Sequence, residues 1–121
     1  MWPMSFRALF IIAEDPRTSG RPAEALRIAA GVSAWQKVEV TLYFRGPAVL
    51  LLGKDVEDMG LVDAENYTRH FSMLVEARVP IYAEQGATGL ARPGQAAVPF
   101  AEISDAQLAE MAAARNSILR F

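Results

Sequence analysis

The polar residues with chemical potential fall in two short stretches. One holds Glu84, Gln85 and Thr88, within VPIYAEQGATGLARPG from Val79 to Gly94, a buried-strand pattern that breaks into a small, glycine-rich loop. In an open α/β sheet, ligands gather outside the carboxyl ends of the strands. A carboxylate at such a junction is placed to act as a general acid or base on whatever the crevice holds. The other stretch is EDPRTSGRP, with Asp15, Arg17, Thr18 and Ser19. Its loop N–H groups and the helix N-terminus that follows would hold an anionic group. It has neither the GxGxxG nor the phosphate-loop spacing, so no motif stands behind phosphate in particular. A loop shaped by its prolines explains the same residues. Glu84 also has a plainer reading, a solvated or salt-bridged side chain paired with Arg92 or with an arginine of a neighbouring subunit.

Other chemistries lack their residues. The chain has no cysteine, which removes disulfides, thiolate metal ligands and every thiol mechanism. Its one histidine, His70, lies in a helical pattern beside Phe71, where a surface or interface role is simplest. Metal binding needs converging histidines and carboxylates, and no such spacing occurs. No metal and no cofactor are therefore expected. Tyr43, Tyr67 and Tyr82 read as core or interface aromatics.

Size and charge narrow the class. The 121 residues fit a single domain, 1–121, with residues 1–4 expected to be disordered and Met4 an alternative start. Twelve Lys/Arg against fourteen Asp/Glu give a net charge of −2 with no basic block, so nucleic-acid binding has no electrostatic support. Hydrophobic residues make up 52% of the chain, which points to a sheet covered on both faces, a buried subunit interface, or both. No run approaches the ~18 apolar residues of a membrane span. The start, MWPMSFR, lacks the charged and apolar regions of a signal peptide. The expectation is a cytoplasmic protein without membrane contact.

The elements that must position these residues follow from periodicity. FRALFIIA, from Phe6 to Ala13, has the length and apolarity of a central strand buried on both faces. Pro22 suits the first turn of a helix over 23–36, where Ala25, Ile28, Ala29, Val32 and Trp35 recur at helical spacing. Gly31 weakens that helix by ~1 kcal/mol relative to alanine, a cost that close packing would offset. KVEVTLYF, 37–44, alternates apolar and polar residues, which predicts a half-buried strand at or near an edge. RGPAVLLLG reads as a short helix opened by Pro47, with a strand as the alternative. KDVEDMGLV is polar loop. Asp63 is placed to cap a helix over 64–77 with Tyr67, Phe71, Leu74 and Val75 inward. Ile81 to Ala83 is a short strand, and AAVPF, 96–100, a short edge or irregular strand because of Pro99. Ser104 with Gln107 forms a capping box, and Ile103 with Leu108 a hydrophobic staple, for a final helix whose Leu108, Met111 and Ala112 face inward. SILRF closes the chain as a strand. The result is a three-layer, doubly wound α/β fold of flavodoxin-like type, with a mainly parallel five-stranded sheet in the order 2-1-3-4-5. The first strand would then neighbour the third, bringing the Asp15 loop beside Glu84.

This organisation resembles the DsrE/DsrF-like family, which includes the TusD-type sulfur-relay proteins. The resemblance is carried by DPRTSGRPAEAL after the first strand, by ALRIAAGVSAWQKVEVTLYFRGPAVLLL, by EARVPIYAEQGATGL, and by the closing AEMAAARNSILRF. It spans Phe6 to Phe121. Sulfurtransferase members of the family carry a cysteine at the end of the third strand, a position that aligned through IYAE is Glu84 here. Ala87 stands where some members have a second cysteine. Persulfide relay needs a polarisable thiolate, and a carboxylate is a hard, weak nucleophile, so this chain alone does not relay sulfur. The resemblance instead implies a member lacking the family cysteine. Such a protein would be a non-catalytic binding or assembly module, either a homo-oligomer (trimer or hexamer) or a hetero-oligomer with a cysteine-bearing relative. The alternative is a small enzyme or ligand-binding protein using Glu84 as acid/base, with an anion site formed by Asp15, Arg17, Thr18 and Ser19.

Overall fold

The structure, a computed structural model, describes residues 6–53, 60–87 and 98–121. The elements run β1 (Phe6–Ile12), α1 (Arg21–Ala34), β2 (Val38–Phe44), a short 3₁₀ helix (Gly46–Leu52), α2 (Glu65–Glu76), β3 (Ile81–Glu84), β4 (Ala101–Ile103), α3 (Asp105–Ala113) and β5 (Ser117–Arg120). All four strand pairings are parallel, and helices cover both faces, so the three-layer α/β architecture is shown.

The strand order is β4-β3-β2-β1-β5, which corrects the expected 2-1-3-4-5. β2 lies between β1 and β3, and β1 has β5 as its other neighbour. The misplacement traces to β2. Its alternation suggested one wet face, but Thr41 and Tyr43 are buried as fully as Val40, Leu42 and Phe44. A strand buried on both sides belongs in the interior of a parallel sheet. β1, expected from its apolar run to be a central strand, is interior, between β2 and the edge strand β5.

Alternation along β1 and β2 sorts the core into two layers. Ala8, Phe10, Ile12, Val40, Leu42 and Phe44 pack against α1, the 3₁₀ helix and α2. Leu9 and Tyr43 face the other way, toward Leu108 and Met111 of α3. α1 sits close to the sheet because Ala23, Ala25, Ala29 and Ala30 line its buried side. PAVLLL settles as a 3₁₀ helix, the helical reading of that stretch, with Ala48, Val49, Leu51 and Leu52 buried. The capping box of Ser104 and Gln107 is present in both directions, 3.2 Å and 2.8 Å.

Several local expectations are corrected. Trp35 and Val75 are exposed rather than inward, at 69% and 38%: Trp35 lies past the last turn of α1, and Val75 is off the Tyr67–Phe71–Leu74 stripe that α2 buries. Gly31 is not a packing glycine: a β-carbon built there meets nothing within 4 Å. Asp63 does not cap α2. It takes a left-handed backbone (φ 57°), and Ala64 holds the cap position with no side-chain bond. The strand assigned to AAVPF begins after Pro99, at Ala101. Proline lacks the N–H that a ladder needs, and Ala96 and Ala97 lie outside the described residues. The reading of residues 1–4, most of the KDVEDM loop and most of the 86–96 loop also falls outside them. Among the described residues, no helix is long and apolar enough to cross a membrane.

Candidate functional site

Glu84 is the last residue of β3, and its placement depends on the turn leaving β2. Arg45 continues the strand in extended geometry (φ −136°, ψ 160°), with its N–H donated to the Ile12 carbonyl at 3.0 Å. Gly46 then turns with φ 54°, a left-handed conformation that costs a residue with a β-carbon roughly 1–2 kcal/mol. That turn aims the Gly46 N–H at Glu84 Oε1, 3.0 Å away. The other oxygen, Oε2, accepts from Arg45 Nη2 at 3.4 Å. Both oxygens of Glu84 are thus engaged, one by a main-chain donor and one by a guanidinium. The side chains remain partly open, 31% for Glu84 and 38% for Arg45, so the bridge itself contributes only about 0.2–1 kcal/mol.

Around this pair lies a hollow of 470 Å³, lined by Gly46, Pro47, Glu84, Gln85, Gly86 and Ala87. Gln85 is exposed, and its N–H is held by the Ile103 carbonyl at 3.1 Å. Gly86 donates to Glu102 Oε1 at 3.0 Å. Thr88 and Arg92 lie outside the described residues. Beneath the pair, Arg45 sits 5.9 Å from the centre of the Tyr43 ring. The Tyr43 hydroxyl is buried without a hydrogen-bond partner among the described residues. Burial pushes its phenol above the ordinary value; Arg45 opposes the rise, and Glu84 and Asp105 add to it.

The loop after β1 is a separate construction. Asp15 accepts from the Arg17 N–H (2.9 Å), Nε (3.0 Å) and Nη2 (2.8 Å). Those bonds hold its carboxyl below the usual carboxylate range. Ser19 Oγ donates to Glu14 Oε1 at 2.8 Å and accepts from the Arg21 N–H at 3.1 Å. Thr18 reaches the Asp15 carbonyl at 3.5 Å. The polar groups expected to receive an anion are spent on one another. β2 also separates this loop from Glu84, so the structure does not bring the two groups of candidates together.

Sequence reasoning missed Arg45. The signal was available, since Arg45 occupies the residue after a strand, just before a glycine-proline turn. The expected strand order put the wrong loop next to Glu84.

An all-parallel sheet ordered 4-3-2-1-5, with helices on both faces, makes this an α/β protein of DsrE-like, flavodoxin-like fold. The crystal structure of the ychN protein from E. coli is similar to it, with a TM-score of 0.75 and 15% sequence identity over 96% of this chain and 99% of that one. At that identity the likeness establishes the fold. No protein-family model and no curated protein matches the chain.

Proposed function

We propose that this chain is a non-catalytic DsrE/DsrF-like module that acts through binding and assembly, joined to sulfur relay by a partner that supplies the cysteine. The observation that carries the reading is the engagement of Glu84. A carboxylate offers roughly four lone-pair sites, and two of them taken by the protein's own donors support an anchoring role. Here one oxygen is held by the Gly46 N–H and the other by Arg45. The carboxylate fastens the end of β3 to the turn after β2. The enzyme reading also asked the Asp15 loop to hold substrate beside Glu84, and the intervening β2 weighs against it.

Assembly draws support from the opposite end of the sheet. Phe6 opens β1, Trp35 follows α1 and Val75 is in the last turn of α2, so all three lie toward the amino-terminal ends of the strands. Phe6 is 50% exposed and Trp35 is the most exposed large apolar side chain among the described residues. Exposed apolar side chains gathered toward one end of the sheet support a contact with another protein there.

Sedimentation velocity, alone and with a cysteine-bearing protein of the same fold, tests the proposal. The expected result is a trimer or hexamer, or a defined complex with that partner, disrupted by Trp35→Glu and left intact by Glu84→Gln. A monomer at every concentration, with no complex formed, would refute it.

A further inference from the structure

The topology has one switch point, and Glu84 is not at it. The chain leaves β1 across one face, through α1, to reach β2. It returns from β4 across the other face, through α3, to set β5 on the free edge of β1. Ligands of doubly wound sheets bind in the crevice outside the carboxyl ends of the strands, at the point where the strand order reverses. In this chain that crevice lies between β1 and β5. A cavity of 740 Å³ is found there, within the ~300–1,000 Å³ range of small-molecule sites and larger than the hollow beside Glu84.

Its walls are apolar and its rim is charged. Ile11 and Ile118 of the two strands, with Leu108, Ala109 and Ala112 of α3, form the walls. Three guanidiniums, Arg21, Arg45 and Arg120, face two carboxylates, Glu14 and Asp105. Arg21 is committed, with Nε on Glu14 Oε2 at 3.0 Å, Nη2 on the Arg120 carbonyl at 2.7 Å and its head over the Phe121 ring at 5.4 Å. Arg45 is on Glu84. Among the described residues, no carboxylate pairs with the Arg120 guanidinium. Ile118 of β5 also leaves 37% of its surface open, and Ile11 on the neighbouring β1 is only half-buried. An apolar chamber with one unpaired guanidinium at its mouth is complementary to a molecule with an apolar body and a single negative head. An arginine binds a carboxylate through two parallel N–H donors.

We infer that the β1–β5 cavity is a binding site for an amphiphilic monocarboxylate, its tail over Ile11, Ala112 and Ile118 and its carboxylate on Arg120. The site shares no wall residue with the hollow beside Glu84, so it stands whether or not the assembly reading does. NMR titration of the intact chain with octanoate tests it, with octylammonium (same tail, opposite charge) and acetate (same head, no tail) as comparisons. Octanoate is expected to shift the amides of Ile11, Ala112 and Ile118 saturably. Octylammonium and acetate at equal concentration should not. Arg120→Gln, at an exposed position, should weaken octanoate at least fivefold, and Ala112→Phe should block it by filling the chamber. Equal binding of octylammonium or acetate, unchanged affinity in Arg120→Gln, or octanoate shifts confined to other regions would overturn the assignment.

Discussion

The two faces of the sheet are built to different standards. Under α1, the 3₁₀ helix and α2 the packing is dry and continuous, with Phe10, Phe44, Leu26, Leu51, Leu52 and Leu74 almost wholly removed from solvent. On the other face, among the described residues, one nine-residue helix covers what it reaches, and Leu9, Tyr43, Ile103 and Leu108 form its buried cluster. Of the buried polar atoms without a partner among the described residues, the Tyr43 hydroxyl and Arg115 Nε lie on that thinner face, and the Tyr67 hydroxyl and His70 Nδ1 belong to α2 on the other. Thr41 is the one buried polar residue among those described, and it accepts from Arg115 Nη2 at 3.2 Å. Burial holds the Arg115 guanidinium below its ordinary value, with Arg7 adding to the effect, and its Nε has no partner among the described residues. The unpartnered Tyr43 hydroxyl and the β1–β5 cavity lie on the same side. One face supplies most of the buried apolar packing, and the other carries the β1–β5 cavity.

Matched truncations test that contrast most strongly. Leu74→Ala under α2 should cost about 4 kcal/mol and Leu108→Ala under α3 about 2 kcal/mol, since a sparsely covered site collapses more readily onto the space vacated. Urea unfolding with a shared m-value would measure both, and equal costs would erase the distinction. Thr41→Val should come next, at about 1–2 kcal/mol, because it strands a half-buried guanidinium. Arg115→Met should be neutral or slightly stabilising, since an ion whose burial is only partly compensated is replaced by an apolar chain of similar length. Exchange of those two signs would mean that the Thr41–Arg115 contact is the anchor of the thin face.

Smaller effects sharpen the picture of the thick face. Gly31→Ala should stabilise by roughly 0.5–1 kcal/mol, because the added methyl meets nothing and the unfolded chain loses freedom. His70, on α2, has a buried Nδ1 without a partner among the described residues. Burial lowers its pKa from 6.5, with the charges of Arg69 and Arg27 adding to the effect. The folded state therefore favours neutral imidazole. Stability from this residue is complete above pH 6.5, declines as pH falls through 6.5 toward the folded value, and then levels off. His70→Gln should flatten that stretch of a stability-against-pH curve. Asp15 and Glu24, also lowered, act only at more acidic pH and would leave a separate slope.

How much of this was legible beforehand depended on whether the deciding signal was local. The capping box at Ser104, the proline at the start of α1 and the apolar run of β1 act within a turn or two of themselves, and each appears where its chemistry requires. Glu84 was found at a strand end for the same reason. β2 was misjudged because Thr41 and Tyr43 look polar but are covered, one under Arg115 and the other under the α3 layer. That single strand moved the sheet order, and with it the neighbour of Glu84. The exposure of Trp35 and Val75 was equally hidden, since helical spacing marks a face only broadly and not which residues at its margins stay covered. The β1–β5 cavity could not be read at all, because its walls come from residues separated by the whole chain.

Native-state hydrogen exchange compares the two layers within one molecule. The account predicts that amides near the end of α3, from Leu108 to Ala113, open with a free energy well below that of the interior of α1 and of β2, in a step that leaves the latter protected. Protection of α3 equal to that of α1, with both lost only on global unfolding, would contradict it.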